Sequence, residues 1–171
     1  TLGTLSMTKP AHINEKARST VIVESGASIL GTANAVAGDD TDGLTVTNSG
    51  TIRANNSKGI NLLDSINATI TNNSGGTIRA KTNTISVSKS GTTPDNINIT
   101  NSGTIYSTNA STNTILLHSN STNSTVTNNA GGHIYNESTA ATITIGKTTT
   151  LTNSGKIENK KIDKVAIALD G

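Results

Sequence analysis

The chain is expected to be all-β and, more narrowly, a single-stranded parallel β-helix whose coils each hold three short strands. Three observations predict this. The first is a composition suited to strands and turns. The 171 residues include no Cys, Trp or Phe, and the only aromatic residues are Tyr106 and Tyr135. A globular core of this length ordinarily relies on several large rings, each of which buries much apolar area. Here Ile, Val, Leu and Ala carry the apolar content, while Thr, Asn, Ser and Gly dominate the remainder. β-Branched residues suit a pleated surface, and Asn, Ser and Gly suit turns.

The second observation is internal repetition. The unit reads TVTNSGTIR from Thr45 to Arg53, TITNNSGGTIR from Thr69 to Arg79 and NITNSGTIY from Asn98 to Tyr106. It recurs as TVTNNAGGHIY from Thr125 to Tyr135 and TLTNSGKIE from Thr150 to Glu158, with a weaker copy, VIVESGASIL, from Val21 to Leu30. The Asn that ends the first strand falls at positions 48, 72, 101, 128 and 153, at intervals of 24, 29, 27 and 25 residues. That period is too long for a heptad and too short for a domain, and it fits one coil of a solenoid. Such regularity also argues against disorder, the other reading of a chain rich in Ser and Asn.

The third observation is alternation within each period. The first strand directs one aliphatic inward: Val46, Ile70, Ile99, Val126 or Leu151. After the Asn-Ser-Gly turn, the second contributes Ile52, Ile78, Ile105, Ile134 or Ile157. The third supplies pairs: Ile60/Leu62, Ile85/Val87, Ile115/Leu117, Ile143/Ile145 and Ile167/Leu169. Three such strands close a roughly triangular coil, and successive coils pair as parallel strands about 4.8 Å apart. One coil has nothing to bury its open faces against, so stability must grow with neighbours.

The turns carry a further expectation. Stacking brings Asn48, Asn72, Asn101, Asn128 and Asn153 one above another as an amide ladder, with Glu24 at the equivalent place in the weaker copy, where the ladder ends. Some turns are two residues longer than others, and a local bulge absorbs the difference. Residues 1–20 are expected to be irregular or a partial first coil. Residues 21–171 form about six coils, and the stop after a third-strand pattern reads as truncation between coils. No signal peptide is present and Thr1 is not a start residue, so the segment is expected to derive from a longer precursor.

Charge narrows the function classes. Thirteen Lys and Arg against eleven Asp and Glu leave a net of +2, without the basic stripe and stacking aromatics of a nucleic-acid binder. No apolar run approaches the roughly 18 residues of a membrane span.

The repeated Val/Ile-Thr-Asn-Ser-Gly-x-Ile unit resembles the passenger repeats of bacterial autotransporters, the type V secreted proteins, over Val21 to Leu169. The resemblance implies a right-handed β-helix, export through the periplasm, and display at or release from the outer membrane. It implies roles such as adhesion, aggregation, toxin delivery or signalling to host cells. It also implies a translocator barrel elsewhere in the precursor, which would be this segment's partner during export.

Catalysis is not expected. A serine nucleophile needs a base and an orienting acid within reach, whereas His12, His118 and His133 fall in different coils. His133 reads as a solvated surface residue. Zinc would need clustered His or Cys, and the Asp39-Asp40-Thr41-Asp42-Gly43 stretch has no calcium-loop spacing, so no metal and no cofactor are expected. Lys156, Lys160, Lys161 and Lys164 form a basic cluster interrupted by Glu158 and Asp163. The outward Thr45/Thr47, Thr69/Thr71, Thr125/Thr127 and Thr150/Thr152 pairs resemble in outline the faces of ice-binding solenoids, broken by Asn98/Thr100.

The candidate binding residues lie in one outward column, each directly after the inward Ile of a second strand: Arg53, Arg79, Tyr106 and Tyr135, followed by Glu158. Tyr and Arg often dominate binding energy, because each joins a flat apolar surface to directional polar groups. The expected function is a non-catalytic passenger segment that meets a host-cell surface protein or glycan, as an adhesin or receptor-binding factor. The alternatives are a passive stalk presenting another module and, more remotely, an ice-binding or carbohydrate-acting solenoid.

Overall fold

The strands pair coil to coil rather than within a coil. A computed structural model describes residues 4–7, 11–14 and 18–170, which form twenty short strands and no helix. Sheet 1 stacks Thr20–Val23, Thr45–Asn48, Thr69–Asn72, Asn98–Asn101, Thr125–Asn128 and Thr150–Asn153. Sheet 2 stacks Thr4–Met7, Ser28–Gly31, Thr51–Ala54, Thr77–Ala80, Thr104–Ser107, His133–Asn136 and Lys156–Asn159. Sheet 3 stacks Ala11–Asn14, Val36–Asp39, Ile60–Leu63, Ile85–Ser88, Ile115–Leu117, Ile143–Ile145 and Ile167–Leu169. Every pairing between these strands is parallel, as in Thr45↔Thr69 and Asn98↔Thr125. The molecule is a parallel β-helix of about six coils.

The three sheets enclose one aliphatic core. Val46, Ile70, Ile99 and Val126 from sheet 1 are buried, as are Ile52, Ile78, Ile105 and Ile134 from sheet 2. Ile60/Leu62, Ile85/Val87, Ile115/Leu117 and Ile143/Ile145 from sheet 3 complete it. Strand alternation shows directly in the burial of sheets 1 and 2, where partly exposed and buried residues take turns. A coil shields its neighbour's interior, and among the described residues the sixth coil is covered on one side. Its Leu151 and Ile157 are therefore half-buried, and Leu169 is 81% exposed.

The interior holds more than the alternation pattern indicated. Leu44, Ala68 and Ile97 are buried just ahead of the sheet 1 strands, and Ala54 and Ala80 sit at the second inward position of sheet 2. The second inward position of sheet 1 is Asn: Asn48, Asn72, Asn101 and Asn128 are fully buried. An amide can occupy that place only if its hydrogen bonds are met, and stacking meets them. Each Nδ2 donates to the next Oδ1 at 2.8 Å, from Asn48 through Asn72, Asn101 and Asn128 to Asn153. Each also donates to the glycine carbonyl that closes its own turn, at Gly50, Gly76, Gly103 and Gly132.

The lower end of this ladder corrects the expected alignment. Register pairs Val23, not Glu24, with Asn48. Val23 is buried and offers no donor, so the Oδ1 of Asn48 is buried without a partner. Glu24 is exposed at the start of the turn.

The two turn lengths alternate strictly along the solenoid. Four residues separate Val23 from Ser28, Asn72 from Thr77, and Asn128 from His133; two residues bridge the turn in the coils between. The register across each pair is unchanged, with Asn72 opposite Asn101 and Thr77 opposite Thr104. A long turn closes on itself, as in Gly76 N–H to Asn73 O at 2.9 Å. Its extra residues loop outward through a left-handed glycine, Gly26, Gly75 or Gly131, a conformation that glycine adopts without steric cost. The short turn of the next coil then seats on the long one. A Cβ on Gly103 would lie 2.3 Å from Gly76 O and 2.5 Å from Asn73 O, and Gly50 and Gly155 are confined in the same way.

Candidate binding face on the second sheet

The outward side of sheet 2 carries the most chemically varied column of the molecule. In-register pairing stacks Leu30, Arg53, Arg79, Tyr106, Tyr135 and Glu158 in that order. Strand alternation turns these side chains away from the core, and all six are partly exposed. Part of the column's backbone is held from inside by a second, buried column at the corner between sheets 2 and 3. The hydroxyls of Thr84, Thr114 and Thr142 donate to the carbonyls of Tyr106, Tyr135 and Glu158 at 2.6, 2.7 and 2.9 Å.

The upper half of the column is an interlocked cluster. The Tyr106 and Tyr135 rings stack with centroids 4.9 Å apart and planes 2° from parallel. His133 leans on Tyr135 at 4.6 Å, and the Lys160 ammonium lies 3.7 Å from the same ring's centroid, a favourable cation–π placement. Glu158 accepts from His133 Nε2 and from Lys156 Nζ, both at 2.8 Å. His133 is thus engaged rather than simply solvated. The Lys156 hydrogen bond outweighs the partial burial of Glu158 and, with His133, holds its carboxyl below the usual range. Burial, followed by the neighbouring Tyr106 and Glu137, pushes the Tyr135 phenol up, so it remains a neutral hydroxyl. Because the rings cover one another, they present edges and hydroxyls outward. A shallow groove of about 170 Å³ runs beside them, lined by Tyr106, Ser107, Thr108, Tyr135 and Glu137.

The lower half is simpler. Arg53 and Arg79 are direct register partners. Among the described residues the ion pairs are those of Glu158 with His133 and Lys156, so neither arginine meets a carboxylate. Thr51 and Thr77 stand two residues before them on the same face, with Thr104 next in their row. Lys81 is exposed two residues beyond Arg79, past the buried Ala80.

The remaining candidates lie apart from this face. Sheet 1 presents an unbroken row of Thr47, Thr71, Thr100, Thr127 and Thr152, beside a second row in which Asn98 interrupts the threonines and accepts from Thr125 Oγ1 at 2.7 Å. Asp40, Asp42 and Asp64 line a hollow of about 300 Å³ at the corner between sheets 3 and 1. Asp42 there accepts from Asn67, and Asp64 from the Ser90 and Gly91 amides. Among the described residues no group of His, Cys, Asp or Glu is placed to hold a metal ion. His118 accepts from the Asn120 amide, far from His133 in the fold. His12 falls in a sheet 3 strand, and its side chain lies outside the described features. Lys161 and Lys164 are exposed in the sixth coil.

One feature of this corner gave no signal in the repeat. Asn67, Asn96 and Asn123 adopt left-handed backbone just before their sheet 1 strands. Asn67 bonds to Asp42, Asn96 to Asn67, and Asn123 to Asp95, a second, exposed stack of amides. No family model matches the chain, no curated protein matches it, and no solved structure matches it.

Proposed function

We propose that this chain is a non-catalytic binding segment of an autotransporter-like passenger, and that it meets a host-cell surface partner through the outward column of sheet 2. The observation that carries this reading is the unpaired Arg53–Arg79 ladder running in register into the Tyr106–Tyr135 stack. The repeat unit and the parallel β-helix support the passenger half of the proposal. Export through the periplasm, display at or release from the bacterial surface, and a translocator barrel in the precursor belong to the same reading. A rigid scaffold holds the column at fixed spacing, so little ordering entropy is lost when a partner binds.

The covered rings divide the work within the column. Arg53 and Arg79 offer free directional donors, whereas Tyr106 and Tyr135 contribute hydroxyls and edges. Replacing Arg53, Arg79, Tyr106 and Tyr135 together with Thr should weaken attachment of the purified chain to cultured host cells at least about tenfold. Circular dichroism should stay as in the parent. R53T/R79T alone should account for most of the loss, and Y106T/Y135T for less. Undiminished attachment by the folded fourfold variant would move the site to the threonine rows of sheet 1 or to the loops.

A further inference from the structure

Sheet 2 breaks a rule that the rest of the solenoid keeps. Like charges placed directly opposite on adjacent strands are destabilising, yet Arg53 faces Arg79 in register with no carboxylate between them. The acids of the same stretch are elsewhere. Asp40, Asp42 and Asp64 gather at the corner between sheets 3 and 1, and Asp95 bridges to Ile66 and Thr122 in that corner's stack. Asp42, Asp64 and Asp95 are each held there by local hydrogen bonds. Lys58, another cation of these coils, already donates to Asn61 of sheet 3 at 2.9 Å. Arg53, Arg79 and the exposed Lys81 therefore form a cationic strip with its counter-charge on another side of the molecule.

The surroundings of the strip select a class of ligand. The Thr51, Thr77 and Thr104 row offers hydroxyls beside the guanidinium forks. Exposed large apolar side chains among the described residues are Ile22, Ile162, Val165, Ile167 and Leu169, none of them on a sheet 2 strand. A protein partner would want an apolar anchor at the centre of the contact. A nucleic acid would want open aromatic faces for stacking; one face of each tyrosine is taken by the other ring, and Tyr135 is further engaged by His133 and Lys160. A flat, hydroxylated, cationic surface suits a polymer that is itself hydroxylated and anionic.

We propose that Arg53, Arg79 and Lys81, with Thr51 and Thr77 alongside, bind an acidic polysaccharide. Its carboxylate or sulfate groups sit on the guanidinium forks, which match planar anions bidentately, and its hydroxyls meet the threonine row. The proposal rests on the reading of sheet 2 as the binding face and narrows the partner to a glycan.

Calorimetry on the whole chain with heparin, polygalacturonate, poly-L-glutamate and neutral dextran tests it, heparin and polygalacturonate separating sulfate from carboxylate sources. At least one acidic glycan should bind more tightly than poly-L-glutamate, and dextran should not bind. R53T/R79T/K81T should lose at least about tenfold in affinity with unchanged circular dichroism. R53K/R79K should lose part of it, because charge remains but the fork is gone. Raising salt from about 50 to 300 mM should weaken binding at least about tenfold, as counterion release requires. Equal affinity of the triple variant, poly-L-glutamate binding as tightly as the glycans, or no glycan binding at all would each overturn the proposal. Cells enzymatically stripped of acidic glycans separate the two levels. If attachment persists there and R53T/R79T still reduces it, the binding face stands and the glycan falls. If R53T/R79T leaves attachment to intact cells unchanged, both fall.

Discussion

Two columns climb the same five coils a few residues apart in sequence, one on the inside of sheet 1 and the other on the outside of sheet 2. The inward one is Asn48, Asn72, Asn101, Asn128 and Asn153, identical at every step. The outward one is Arg53, Arg79, Tyr106, Tyr135 and Glu158, which passes from cation to aromatic to acid over the same five coils. Both stand on the same parallel register, so the backbone does not explain the contrast. Inside, each amide is the hydrogen-bond partner of the next, and a single change leaves two groups unmet. Outside, water can satisfy whatever a neighbour does not. Uniformity marks positions where the repeats depend on one another, and variety marks positions free to take on a task.

That contrast can be broken most severely from within. Ile105 is fully buried among aliphatics, and Ile105→Asp should cost at least about 4 kcal/mol, because an unpaired carboxylate is placed in an apolar core. Urea denaturation measures it, and a loss below about 1 kcal/mol would show that the interior is not packed as described. Next comes the ladder itself. Asn101→Ala removes the acceptor for Asn72 Nδ2 and the donor for Asn128 Oδ1, and should cost about 2–4 kcal/mol. Replacing Arg53 or Arg79 with Thr should shift stability by no more than about 0.5 kcal/mol, and replacing Tyr106 or Tyr135, which breaks the ring stack, by about 1 kcal/mol; a cost on the arginines equal to that on the ladder would erase the distinction.

The smallest effect is a pH dependence. The folded-state carboxyl of Glu158 is held below its ordinary value by Lys156 and His133. The sign follows: this contribution is complete above the unfolded carboxyl pKa of about 4.3 and is lost as pH falls through the folded value. Melting of the parent should therefore drop faster than that of Glu158→Gln as pH is lowered from about 5 to 3. Parallel acid limbs would show that the cluster around Tyr135 adds nothing to stability.

Much of this was legible in the chain, for reasons that differ by residue. Val46, Ile52, Ile60 and Leu62 declare their direction by alternation, because burying one face of a strand fixes register. The column from Arg53 to Glu158 follows from the same count. The stacking of Asn48 and its equivalents is legible in their repeat; their full burial is less so, since Asn shortly before Gly reads as a turn residue until a stacked neighbour is there to satisfy it. The first copy has a long turn, so counting back from its glycine slips by one and aligns Glu24 with the amide row that Val23 occupies. Leu44, Ala68 and Ile97 keep the phase of the alternation but lie one place ahead of the repeat unit from which the strands are counted. The stacking of Tyr106 on Tyr135, which turns two aromatic faces from binding surface into packing, depends on side-chain rotation that spacing does not encode.

The alternation of turn lengths makes one edge of the solenoid a comb. Its teeth, around Gly26, Gly75 and Gly131, stand two coils apart, about 9.6 Å from one to the next, and a Cβ on Gly75 or Gly131 would touch nothing within 4 Å. Removing a single coil with a short turn would bring two teeth to half that distance, where their loops crowd. Removing two neighbouring coils would leave the comb intact. The chain is thus graduated in doublets: growth or loss by two coils keeps its outline, and an odd step leaves a visible fault in the edge.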